Sequence, residues 1–266
     1  MSAPRRGVRW LGSMREKLSD REYSVLADVG RFKLLSGKQV QRLHFSDHAT
    51  SETAARVCRR VLRRHTETGL LTRLERRIGG VRAGSAGAVY QVSGLGHRLL
   101  SPPDGRRRSS EPGLAFVTHT LAIAEVYVLL VEAQRTGLLE LLGVQTEPTC
   151  WRHFTGALGQ RDVLRPDLFV VLGIGADEWH WFVEVDCGTS HRPAIRAKAE
   201  IYRRYLSSGV EQHATGLFPG VLWLVPDLAR REQLDHTLRP LDVLPAGLFS
   251  VALHDEAVDG LRGAPP

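Results

Sequence analysis

Cysteine is scarce in this chain: three in 266 residues, Cys58, Cys150 and Cys187, with no Cys-x-x-Cys pair among them. That spacing excludes a disulfide framework and a cysteine-rich structural zinc, and makes a reducing cytoplasm the expected compartment. Long apolar runs are missing too. The longest, Leu121 to Val131, falls short of the ~20 residues that cross a bilayer and is interrupted by Glu125, so no membrane span is expected. The segment Met1 to Trp10 is basic but lacks the apolar stretch of a signal peptide. No Gly-x-Ser-x-Gly elbow occurs, which removes the commonest serine-hydrolase arrangement. Gly173-Ile174-Gly175 lies between two expected strands, so it reads as a hairpin turn and not as a dinucleotide loop. His119, His180 and His191 lack zinc spacing and read as core or surface residues.

What is present is an ordinary globular composition, 42% hydrophobic and 24% charged, with a net charge of +7 that is unevenly spread. Residues 1–117 carry 23 Lys and Arg against 10 Asp and Glu, whereas residues 118–266 carry 13 against 19. A basic front half and an acidic rear half predict two modules, the first suited to a polyanion. The expected division is a flexible basic N-terminus over 1–17, a winged-helix DNA-binding domain over 18–100, a linker over 101–113 rich in Pro, Gly and Arg, an α/β domain over 114–256, and a flexible tail over 257–266.

In the basic half, Ser19 with Glu22 and Ser36 with Gln39 have capping-box spacing and predict two helix starts. A third helix is expected from about Ser51 to Thr66. Ala54, Val57, Cys58, Val61 and Leu62 form its apolar stripe, and Arg56, Arg59, Arg60, Arg63 and Arg64 fall on roughly the opposite face. A solvated basic face would have the same pattern. Two short helices leading into it favour a DNA reader, because arginines pair with phosphates and guanine edges and a helix fits the major groove. Strands at Leu70 to Arg77 and Ala88 to Val92 around a Gly-rich turn would make a wing, with Arg76, Arg77 and Arg82 adding phosphate contacts.

In the acidic half, a helix from Thr118 to Thr136 is followed by strands at Gly143 to Thr149, Asp167 to Leu172 and Trp179 to Asp186. A helix from Pro193 to Ser208, a buried strand from Val221 to Val225, a helix from Leu228 to Leu238 and a strand at Phe249 to Leu253 complete the order. The fold class is therefore α/β (α+β overall): an N-terminal winged helix-turn-helix followed by a mixed sheet flanked by helices. Strand alternation places Glu184 and Asp186 on one face, and Asp167 begins the neighbouring strand, so three carboxylates could converge. Acids inside apolar strands are costly unless a cation or hydrogen bond compensates them, which makes a site the leading reading and a Mg2+ site for phosphodiester chemistry the favoured form. On the following helix, Ala194, Ala197, Ile201 and Tyr205 are the expected buried stripe, with Lys198 and Tyr202 beside it. Lys198 is open to three roles: an active-site amine, a structural ion pair, or a surface residue.

Asp167 after Pro166, Glu184 on the next strand and a nearby Lys resemble the PD-(D/E)xK pattern of the restriction-endonuclease fold. The wider layout resembles the replication-relaxation family of plasmids and mobile elements, which joins a winged helix to a nuclease-like domain. The resemblance rests on Leu26, Leu34-Leu35, Gln39, Leu43-x-Phe45, Val89-Tyr90, Arg165-Pro166-Asp167, Phe182-Val183-Glu184-Val185-Asp186-x-Gly188-Thr189 and Lys198-x-x-x-Tyr202. It implies double-stranded DNA as partner, replication or DNA-transfer proteins beside it, a homodimer as one assembly, and Mg2+ or Mn2+ held by Asp167, Glu184 and Asp186 with Lys198 completing the catalytic set. Glu125 is a remoter extra ligand. One departure stands out: the nuclease pattern has Lys two residues after the Glu, where this chain has Asp186, so Lys198 would have to serve from the helix. A non-catalytic DNA-binding regulator with a degenerate nuclease-like scaffold is the competing expectation.

Overall fold

Both capping boxes close as their spacing predicts. Ser19 accepts the amide of Glu22 while Glu22 Oε2 accepts the amide of Ser19, and Ser36 and Gln39 exchange the same pair of bonds. They start α2 (Asp20–Arg31) and α3 (Gly37–His44), which follow α1 (Val8–Lys17) in a computed structural model that describes residues 8–74, 87–100, 113–241 and 247–263. The chain forms two compact units, 1–128 and 129–266, and the division falls inside one long helix.

In the N-terminal unit the remaining elements are β1 (Leu35–Ser36), α4 (Ser51–Glu67), β2 (Leu71–Arg73), β3 (Val89–Val92), α5 (Gly94–Leu100) and the first part of α6 (Leu114–Arg135). The three strands make an antiparallel sheet in the order β1-β3-β2. Val25, Leu26, Val29, Val40, Leu43 and Phe45 are buried, as are Ala54, Cys58 and Leu62 of α4. Gly96 of α5 lies so close to β2 that an added Cβ would stand 2.3 Å from the Leu70 carbonyl oxygen, which restricts this position to glycine.

Three expectations are corrected here. Residues 8–17, expected to be flexible, are the helix α1. The rear end is ordered as well: α10 (Ala257–Arg262) buries Ala257 and Leu261 completely. And α6 is a continuous 22-residue helix, long and apolar enough by those measures to cross a membrane. Within the N-terminal unit, however, its Val117 packs with Leu34, Leu74 and Val89, with Leu121 against them. Glu125, counted as an interruption in the sequence, is ion-paired to Arg42 and accepts from Gln39 Nε2 at 2.9 Å. That portion of α6 is therefore a core helix of the unit. The expected wing arginines Arg76, Arg77 and Arg82, and all but the last residue of the expected linker, lie outside the described residues.

The C-terminal unit is a mixed sheet between helices, as the element order predicts. Its strands are β4 (Glu140–Thr146), β7 (Leu168–Ile174), β8 (Asp177–Val185), β9 (Gly220–Val225) and β10 (Phe249–Leu253), in the order β10-β9-β8-β7-β4. β8, β9 and β10 run parallel to one another, β7 is antiparallel to β8, and β4 is antiparallel to β7. A hairpin that the sequence did not suggest, β5 (Arg152–Thr155) with β6 (Arg161–Leu164), lies between β4 and β7 in the chain. Two helices, α7 (Arg192–Ser208) and α9 (Leu228–Leu238), cover the sheet face that carries Phe169, Phe182, Val221, Trp223 and Phe249. The short α8 (Val210–Thr215) follows α7, and α10 approaches the other face, with Gly260 against Leu222 and Ala252.

The buried face of α7 differs from expectation. Ile195, Ala199, Tyr202 and Tyr205 are buried, while Ala194 and Ala197 are exposed. Two large rings remove far more apolar surface from water than two methyl groups, so the tyrosines decide the rotation of the helix. That rotation brings position 198 towards the sheet.

Candidate functional site

The site is built at the junction of β7, β8 and α7. The β7–β8 register pairs Leu168 with Val183, and one step further it sets Asp167 across from Glu184 on a single face. Phe169 and Phe182, the next pair on that face, continue into the apolar core. Burial of the two acids is nearly complete, at 7% and 2% exposure. Asp167 Oδ2 accepts the Val185 amide at 2.7 Å, which fixes its carboxylate against the neighbouring strand. The turn that presents it is backed by Cys150, whose Sγ donates to the Pro166 carbonyl at 3.1 Å; burial pushes that thiol up to about 12, so it is chemically quiet.

Glu184 is held from above by one turn of α7. Lys198 Nζ donates to Glu184 Oε2 in a salt bridge, and the Tyr202 hydroxyl donates to Oε1 at 2.6 Å. Positions 198 and 202 are one turn apart, so a single helix face serves both oxygens of one carboxylate. Burial pushes the Glu184 carboxyl up to about 7 against the opposing pull of Lys198, and the nearby Asp167 carboxylate adds to the rise. For Lys198, burial acts to lower the pKa, but Glu184 and Asp167 together hold it above the ordinary lysine range. The amine is thus firmly protonated at neutral pH. Glu147, the first residue of the turn after β4, adds to the negative field on Lys198; nothing in the local sequence marks it.

Asp186 is on the same face but in a different environment. Arg230 of α9 binds it bidentately, Nε to Oδ2 at 2.7 Å and Nη2 to Oδ1 at 2.9 Å, and the Gly188 amide donates to Oδ2 at 2.8 Å. Burial alone would raise its pKa, but the Arg230 fork and the Gly188 amide more than offset this and hold the carboxyl below its ordinary range. Arg230 Nη2 also donates to the Ser190 carbonyl at 2.6 Å, so one guanidinium ties α9 to the loop that leads into α7. The structure therefore brings together Asp167, Glu184 and Lys198, adds Tyr202, and separates Asp186 into a clamp with Arg230. Glu125 belongs to the N-terminal unit, engaged by Arg42 and Gln39.

The chemistry of the donors sets limits on a metal. Among the described residues no three His, Cys, Asp or Glu side chains gather as a metal-holding group, so a closed protein cage of the zinc kind does not fit. Two hard carboxylates on facing strands do fit Mg2+ in its usual mode, one or two acids with water and substrate phosphate completing the octahedron.

On α4, Thr50 caps the helix by accepting the Thr53 amide at 3.1 Å, and Ala54, Cys58, Leu62 and His65 are buried. His65 was not part of the expected stripe; its Nε2 lies 3.1 Å from the Glu22 carbonyl, and burial lowers its pKa. Arg56, Arg59, Arg60, Arg63 and Arg64 are all exposed. Arg64 is bonded to Glu22 at 2.6 Å and Arg63 lies 3.8 Å from Glu67, one turn on. Arg56, Arg59 and Arg60 have no acidic partner among the described residues.

An α/β chain with an arginine-faced helical unit in front and an acid–lysine constellation on a mixed sheet behind is the class these features define. The chain belongs to the replication-relaxation family, which matches residues 26–221, well over half its length. The matched span contains Asp167, Glu184, Lys198 and Tyr202 and ends before Arg230. Membership ties the chain to DNA and to replication or relaxation. No curated protein and no solved structure gives a significant match.

Proposed function

We propose that this chain binds duplex DNA through its N-terminal unit and cleaves or nicks it at the Asp167–Glu184–Lys198 site with Mg2+ or Mn2+. The helix, strand, helix, helix and strand-pair order of the first unit is read as a winged helix-turn-helix with α4 as its recognition helix. Exposed Arg56, Arg59 and Arg60 are its groove or phosphate contacts.

The observation that carries the hydrolytic reading is the convergence of two carboxylates from adjoining strands with a protonated amine from the next helix. In this reading Asp167 and Glu184 hold the cation. Bound there, Mg2+ would supply polarisation of a phosphate and a lower pKa for an attacking water. Lys198 offers a fixed positive charge to the phosphate as negative charge grows on its oxygens. Tyr202 keeps Glu184 oriented, and apolar Phe169 and Phe182 exclude water from beneath the acids. Supercoiled plasmid incubated with Mg2+ or Mn2+ is the test. Nicked or linear product with the wild type, absent with Glu184→Ala and Asp167→Ala while DNA retardation persists, is the expected result. Equal cleavage by all three would remove the site from the chemistry.

A second reading has its own support. Each of the three acids already has a protein partner, and Asp186, at the position where the nuclease pattern places Lys, is committed to Arg230. A non-catalytic replication accessory factor would retain such an arrangement as scaffold. Absence of product with every metal, together with intact DNA binding, is its signature.

A further inference from the structure

The two oxygens of Glu184 are held by groups of unlike mobility. Oε1 accepts from Tyr202, a phenol with no exposed surface, wedged between Phe182 and Phe249. Oε2 accepts from Lys198, whose side chain is 32% exposed although Glu184 itself is only 2% exposed. A lysine amine sits on a flexible four-carbon stem and reaches water easily, whereas a buried ring cannot leave without opening a cavity. One oxygen is pinned and the other is bound by a group with a route out.

We infer that Lys198 is the resident cation of this site and that it leaves Glu184 Oε2 when a divalent cation binds there, with Tyr202 keeping Oε1 in place throughout. The inference rests on the metal-dependent reading proposed above and specifies how the site is loaded. The exchange breaks one Lys–Glu ion pair and forms one carboxylate–cation bond, and the amine stays protonated. Charge favours it when phosphate is present. When both are ionised, Asp167 and Glu184 carry two negative charges in a buried setting, and Lys198 offsets only one of them. A divalent cation offsets both and leaves the lysine charge for a phosphate. Lys198 thus guards the acids in the empty site and becomes a substrate contact in the loaded one. This assigns the lysine a competitive role towards metal, which a lysine that merely orients water does not have.

The test measures cation binding and not turnover. Mn2+ alone is titrated by calorimetry into the full-length wild type, Lys198→Met, Lys198→Gln and Tyr202→Phe. Tb3+ luminescence is read in parallel, because Trp223 stands beside Glu184 in the β8–β9 register and can sensitise it. Removing the resident cation is expected to tighten Mn2+ binding by about tenfold in both lysine variants, equivalent to ~1.4 kcal/mol. Tyr202→Phe is expected to weaken it. Two lysine variants guard against one failing to fold, which the urea midpoint reports. Equal Mn2+ affinity in wild type and both lysine variants overturns the exchange while leaving a metal site in place. Weaker binding in both lysine variants overturns it as well, by making Lys198 a support and not a competitor. No saturable binding in any variant overturns the exchange and the metal-dependent reading together.

Discussion

Replacing Arg230 by Ala would strip the fork from Asp186 and leave a carboxylate of 4% exposure facing the interior, with only the Gly188 amide and the Ser190 hydroxyl among its side-chain and backbone donors in the described residues. Removing one partner of a buried ion pair costs ~3–5 kcal/mol, because the other charge remains desolvated. The Ser190 carbonyl loses its 2.6 Å donor in the same change. With a urea m-value of about 2 kcal/mol per M, the midpoint of the C-terminal unit should fall by roughly 1.5–2.5 M near neutral pH. Trp151, Trp179, Trp181 and Trp223 all lie in that unit, so tryptophan fluorescence reports mainly on it. The pH dependence follows from sign. In the wild type Asp186 has a lowered folded pKa, so its contribution is present above its ordinary value of 3.8 and is lost as pH falls below that. In Arg230→Ala the unpaired acid is raised by burial, so the deficit is largest near neutral pH and shrinks as the solution is acidified towards 3.8. Arg230→Met combined with Asp186→Leu removes both charges and should recover most of the loss. A deficit below ~1 kcal/mol near neutral pH, or one that does not shrink in acid, would refute the clamp as the anchor of this corner.

Arg59→Ala and Arg60→Ala should each weaken duplex binding and lower the slope of log affinity against log salt by about one, measured by fluorescence anisotropy across a salt series. Arg64→Ala should instead lower the stability of the N-terminal unit by ~0.2–1 kcal/mol, the range for a half-exposed ion pair, through loss of Glu22. Gly96→Ala should destabilise the same unit by ~1–3 kcal/mol in thermal melts, since the new methyl meets the Leu70 carbonyl. Glu184 has a raised folded pKa, so its contribution is full below its ordinary value of 4.5 and is lost as pH rises through about 7. Glu184→Gln should flatten that part of the stability–pH curve, read from urea midpoints over the same interval.

What the sequence made legible was what neighbours decide. The capping boxes at Ser19 and Ser36 span three residues, and both formed as spacing required. The β7–β8 hairpin around Gly175, at φ 64°, needs only a local turn, and its register carried Asp167 opposite Glu184. The errors have a common cause in partners distant along the chain. Glu125 looked like a break in an apolar run because Gln39 and Arg42, which satisfy it, lie 86 and 83 residues away. Ala194 and Ala197 fitted helical periodicity as well as Ile195 and Tyr202, and only the sheet beneath them selected the larger set. The hairpin β5–β6 consists of two four-residue strands, too short for alternation to separate it from loop.

Asp186 shows why spacing alone misjudges this site. Counted along the strand, it stands two residues after Glu184, where the nuclease pattern expects a cation. A positive charge is present at that corner, but it comes from Arg230, 44 residues further on, and it is spent on the aspartate itself. The pairing locks the loop through Ser190 and so fixes where α7 begins. Lys198 and Tyr202 sit about two and three turns further along that helix, and both meet Glu184. The corner has thus become architecture, and the amine facing the acids comes from the helix which that architecture aims. A motif read as a string finds a defect at 186. Read as geometry, the same residues give two acids and one lysine in contact range, held by an ion pair that the string does not contain.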